Sequence, residues 1–161
     1  MTTSHFRIIA VAIFALFLFY PLAAQAEKAE LSYFSLELPA GWTAHEEGDL
    51  VILSTSDGET PLSIFLIAVE ELDLEAQVEE TAEGNTTSKL GVGYVCEDDT
   101  KARYWMFGAN SAFIGFRSPE TTPEVAAIIA SLKSSEQAPL GTDEVFKAAN
   151  DPQVIDWLMF K

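Results

Sequence analysis

The sequence predicts an α+β fold: a mainly antiparallel sheet of about six strands flanked by two helices, with a helical appendage at the C-terminus. Three observations carry that reading. Several short segments alternate apolar and polar residues with the period of two that a half-buried strand requires. Two others recur every three to four residues, as a helix lying on a sheet does. The connections between them are short and rich in turn-forming residues, which suits neighbouring antiparallel strands.

Residues 1–26 stand apart from the fold. Arg7 precedes an uninterrupted apolar run of 13 residues, Ile8 to Tyr20, and Pro21 leads to the small-x-small sequence Ala24-Gln25-Ala26. A basic start, an apolar middle and a small-residue exit are the anatomy of a secretory signal peptide. The alternative is an uncleaved anchor, but the run falls short of the roughly 20 residues a spanning helix needs. We expect cleavage after Ala26, a chain beginning at Glu27, and a periplasmic or secreted location without stable membrane insertion.

The elements then follow in order. Residues 31–38, LSYFSLEL, place Phe34, Leu36 and Leu38 on one side and Ser35 and Glu37 on the other. Pro39-Ala40-Gly41 ends that strand. DLVILST (49–55) and PLSIFLIAV (61–69) are the next two strands, joined through Asp57-Gly58, a pair that tolerates the positive φ of tight hairpins. The second of these is apolar on both faces, as a covered central strand would be. Leu74, Val78 and Ala82 then mark a helix with Asp73 as N-cap and Gly84 as its stop, its outer face carrying Glu75, Glu79, Glu80 and Glu83. Strand signals return at 91–96, 101–108 and 111–117. Thr122-Pro123-Glu124 opens a second helix with the apolar stripe Val125, Ile128, Ile129 and Leu132.

Residues 27–133 therefore read as one domain, 134–141 (SSEQAPLG) as a linker, and 142–161 as a tail of two short helical turns, the second capped by Asp151 ahead of Pro152. Trp157, Leu158, Met159 and Phe160 crowd the end of the tail. Such a cluster either docks on the chain's own core or presents a hook to a partner.

Composition narrows the function classes. All 25 acidic residues and 8 of the 9 basic ones follow residue 26, leaving a net charge of −17 there. That field disfavours nucleic acid and anionic lipid as partners and suits solubility or a cationic partner. A single cysteine, Cys96, permits no internal disulfide; its place in an apolar strand suggests burial, with pairing between chains as the alternative.

The densest ionic stretch is His45-Glu46-Glu47-Gly48-Asp49. With Gly48-Asp49 inside it and a strand directly after, we expect the turn between two strands. Glu46, Glu47 and Asp49 are too few for calcium's six to eight oxygens, and Glu97, Asp98 and Asp99 read as a second turn, so both remain weak metal candidates. His45 is the sole histidine after residue 26, which leaves little for an imidazole-based metal site or a catalytic triad. No P-loop, G-x-S-x-G, H-E-x-x-H or C-x-x-C motif occurs, and Gly91-Val92-Gly93-Tyr94 opens no helix as a dinucleotide site would. Asn85-Thr86-Thr87 is a glycosylation sequon only where that modification exists. Trp42, just past a strand end, is expected to plug the core, or else to stack on a ligand.

Phe34-Ser35-Leu36-Glu37-Leu38-Pro39-Ala40-Gly41-Trp42 resembles the first strand of the PsbP/DcrB-like superfamily, whose members open with an alternating strand, a Pro and a Gly-Trp or similar pair. The order of elements over residues 31–133 is similar too. The resemblance implies an α/β/α sandwich and a non-enzymatic role, with no catalytic residues to carry over. The short connections between strands and the 142–161 tail depart from that pattern. Together these readings lead us to expect an exported binding or assembly-assisting protein without a cofactor, acting on another exported or envelope protein. Trp42, Trp157, Leu158 and Phe160 are its candidate contact residues. A small hydrolase using His45 with nearby carboxylates, or an acidic cation binder, are the alternatives.

Overall fold

The computed structural model describes residues 26–119 and 122–159; the expected signal sequence, save Ala26, lies outside them. The fold is α+β, with two antiparallel sheets and four helices among the described residues. The larger sheet has seven strands in the order β3-β4-β5-β9-β8-β7-β6: β3 Thr43–Glu47, β4 Leu50–Ser54, β5 Leu62–Ala68, β6 Ser88–Leu90, β7 Gly93–Glu97, β8 Arg103–Ala109 and β9 Ala112–Ser118. The smaller has the order β1-β2-β10: β1 Glu27–Glu30, β2 Phe34–Leu38 and β10 Lys133–Ser134. The helices are α1 Leu74–Ala82, α2 Pro123–Ser131, α3 Thr142–Ala149 and α4 Pro152–Leu158.

Alternation along the strands sorts side chains into two layers. Leu62, Ile64 and Leu66 of β5 join the main core, while Phe65 and Ile67 point to the opposite face. The main core collects Phe34, Leu36 and Leu38 from β2, Val125, Ile128 and Ile129 from α2, and Trp105, Ile114 and Phe116 from β8 and β9. Phe34 meets Phe146 of α3 edge-on at 5.6 Å, so the smaller sheet and the C-terminal helices close over the same interior. On the other face α1 alone lays Val78 and Ala82 on Met106, Phe113 and Cys96. Each fully buried aliphatic side chain contributes about 1.5–3 kcal/mol through removal from water.

Local signals place the helix ends. Asp73 accepts a hydrogen bond from the Ala76 amide (3.1 Å) at the start of α1, and Asp151 accepts one from Gln153 (2.8 Å) at the start of α4. The stop of α1 falls where expected: Glu83 caps the helix in the left-handed region (φ 50°) and Gly84 follows at the C′ position with φ 87°.

Several expectations need correction. Among the described residues the main sheet has seven strands where about six were expected, and a second sheet of three strands was not expected. The single strand expected over 31–38 is β2 alone; the chain before it turns back and pairs as β1, Glu27 opposite Leu38. His45, Glu46 and Glu47 are not a turn but the end of β3, His45 lying opposite Ile52; only Gly48 and Asp49 turn. These edge strands, EKAE and TAHEE, carry charge along their length because an exposed sheet edge is protected by it, and charge hides the alternation that reveals an interior strand. Cys96 is buried, as its apolar strand implied.

The segment 134–141, expected to be a linker, is bound. Ser134 belongs to β10, the Ser135 amide donates to the Tyr33 carbonyl (2.9 Å), and the Ser111 amide donates to the Leu140 carbonyl (3.0 Å). The helices beyond it are no appendage: Val145, Phe146, Ala149, Val154 and Leu158 belong to the main core.

Candidate functional site

The most site-like concavity is an apolar groove of about 460 Å³ between the β6–β7 hairpin and the corner where α3 meets α4. Its size falls within the ~300–1,000 Å³ usual for ligand sites. Phe107 of β8, half-buried and 6.0 Å from the Trp105 ring, supplies aromatic surface; Ala148 and Val154 contribute from the two helices. Val92 stands at the hairpin tip, 61% exposed, between Gly91 and Gly93. Gly93 is required there by close approach: a side-chain carbon would lie 2.6 Å from the Met106 carbonyl oxygen and 2.8 Å from the Trp105 indole nitrogen. That wholly buried indole N–H has no hydrogen-bond partner among the described residues.

The rim of the groove is polar. Glu144, Lys147, Asn150 and Asp151 surround it, and neither Glu144 nor Lys147 forms an ion pair among the described residues. Lys147 is the one basic side chain among the residues that line it, beside the carboxylates of Glu144 and Asp151. A larger hollow of about 720 Å³ between Glu71 and Tyr94 has mainly polar walls, and the Tyr94 hydroxyl already donates to Glu75 (3.2 Å).

The second organised cluster is ionic. Asp98, at the β7–β8 turn, accepts from the Thr100 hydroxyl (2.6 Å), the Thr100 amide (2.8 Å) and the Ala102 amide (3.0 Å) with one oxygen. Its other oxygen takes the Tyr104 hydroxyl and Arg117 Nη2, each at 3.2 Å, while Arg117 Nε donates to the Tyr104 oxygen at 2.7 Å. Burial pushes the Asp98 carboxyl up, but the bonds from Thr100, Ala102 and Arg117 outweigh it and hold it at about 2. Burial likewise raises the Tyr104 hydroxyl against the pull of Arg117. The arrangement clamps a hairpin turn to the neighbouring strand. Asp98 stays ionised at neutral pH.

The residues singled out in the sequence are dispersed. Among the described residues no group of three or more His, Cys, Asp or Glu side chains is placed to hold a metal ion. Glu46 is occupied by the Ser32 amide, at 3.1 and 3.2 Å from its two oxygens. Glu47, Asp49 and Asp99 are exposed, and Glu97 pairs with Lys101 (3.0 Å) and Arg103 (3.6 Å). His45 is exposed on an edge strand, and alternation sends Glu46 to the opposite face from it. Trp42 is half-buried against the main core.

The C-terminal hook is spoken for. Leu158 is buried in the core, and Trp157 is held against β8; Phe160 lies outside the described residues. Sequence reasoning missed the groove. Its one legible signal was Val92, an apolar residue alone between two glycines where a tip is normally polar.

No protein-family model matches the chain, and no curated protein matches it. Among the described residues no helix is long and apolar enough to cross a membrane.

Proposed function

We propose that this chain is an exported, non-catalytic binding or assembly-assisting protein whose contact site is the apolar groove between the β6–β7 hairpin and the α3–α4 corner. The observation that carries the reading is the groove itself: folding leaves Val92 largely exposed, lining with half-buried Phe107 a hollow of ligand size. Export rests on the Arg7 to Ala26 pattern, and the absence of a nucleic-acid role on the acidic charge balance. The PsbP/DcrB-like resemblance belongs to the same proposal. It is supported by helices on both faces of an antiparallel sheet and by the Pro39-x-Gly41-Trp42 sequence after β2.

The test is direct. A neutral apolar fluorophore such as N-phenyl-1-naphthylamine should brighten on binding the purified protein, and Val92→Asp should abolish the signal without altering the fold. Equal brightening in the variant would place any apolar site elsewhere and defeat the reading.

A further inference from the structure

Resting on that reading of the groove, we infer that its occupant is a basic segment of another protein, with one apolar side chain seated beside Phe107 and flanking Lys or Arg side chains on Glu144 and Asp151. The shape sets the first half of this. The groove is open to solvent and is lined by Val92 from the hairpin and by Ala148 and the buried Val154 from the helices, so it admits a side chain projecting from a passing backbone. An aliphatic or aromatic anchor there would cover surface that folding leaves wet, as buried anchors do at the centre of interfaces.

Charge sets the second half. Glu144 is an exposed carboxylate without an ion pair among the described residues, and Asp151 spends one oxygen on the α4 cap. Against these two stands one cation, Lys147, so the rim is net acidic within a chain of net charge −16. An anionic amphiphile, an acidic peptide or a second copy of this chain would approach through a repulsive field. A basic segment is drawn in by it.

The experiment uses the purified protein and two short synthetic peptides, one alternating Lys with Leu and Phe, the other with Glu in place of every Lys. Fluorescence anisotropy should detect the basic peptide, with affinity falling as salt rises and the acidic counterpart at least about tenfold weaker. Val92→Asp and, independently, Glu144→Lys should each weaken the basic peptide by about tenfold or more. Both positions are exposed, and circular dichroism checks that each variant folds.

Equal binding of the two peptides, or affinity untouched by both substitutions, overturns the inference. Fluorophore bound through Val92 but no basic peptide bound overturns it too, while leaving the groove as a site for another ligand. Self-association in sedimentation that Val92→Asp abolishes would give the groove to a second copy and overturn it likewise.

Discussion

Trp157 of α4 and Arg103 of β8 hold each other: the guanidinium lies 4.5 Å from the indole centroid, and Arg103 Nη1 donates to the Trp157 carbonyl at 2.7 Å. The indole N–H donates in turn to the Tyr104 carbonyl at 3.2 Å. Of the two roles open to the C-terminal aromatic cluster, docking or a hook, Trp157 takes the first: it is fastened to an interior strand of the main sheet, and the last helix becomes a wall of the groove.

Replacing Trp157 by Ala should therefore destabilise the whole domain by about 2–3 kcal/mol, at the low end for a large aromatic because the ring is only half-buried. Trp157→Phe keeps most of the packing and loses the N–H bond, for about 1 kcal/mol. Urea unfolding followed by far-ultraviolet circular dichroism measures both. A loss confined to α4, with the sheet unaffected, would contradict the continuous core.

The Asp98 clamp predicts a pH dependence with a definite sign. Its folded carboxyl sits at about 2, below the ordinary 3.8, so its contribution is present in full above pH 3.8 and fades as pH falls toward 2. Asp98→Ala should cost about 2–3 kcal/mol at neutral pH through the lost bonds from charged and backbone donors. The gap between wild type and variant should shrink across that acid window in denaturant titrations. A constant gap from pH 7 to pH 2 would show that the clamp does not depend on ionisation.

Gly93→Ala should destabilise by about 1–3 kcal/mol, since the added methyl meets the Met106 carbonyl, a backbone atom that cannot step aside as a side-chain tip would. Thermal unfolding reads this out. An unchanged melting temperature would mean that β7 and β8 can separate locally at no cost.

Burial raises the Cys96 thiol, and the charge of Asp98 adds to the effect. The folded protein should therefore react with iodoacetamide at least on the order of a hundredfold more slowly than the unfolded chain. Intact-mass spectrometry in buffer and in denaturant tests this; rapid native labelling would require β7 to open.

His45→Ala should leave stability within about 0.5 kcal/mol of wild type, because the ring is exposed and makes no hydrogen bond or ion pair among the described residues. A larger loss would reveal a role for the β3 edge beyond its backbone pairing.

The interior strands β4, β5, β8 and β9 and the helices α1 and α2 were legible in the sequence because each must bury an apolar face, and burial writes a period into the chain. Asp73 and Asp151 were legible as caps for a similarly local reason: each satisfies amides two or three residues away. The edge strands β1 and β3 were not, since an edge answers to solvent and to the avoidance of aggregation.

By itself, then, the sequence determined the α+β class, the main apolar stripes, the burial of Cys96 and the acidic balance, all of which depend on neighbours along the chain or on totals. Only the tertiary structure decided that Trp157 fastens to Arg103 across 54 positions, that Asp98 gathers Tyr104 and Arg117, and that Val92, Phe107 and Val154 line one groove. Those contacts join distant segments. Their partners are chosen by strand order and helix placement, which no short window of residues contains.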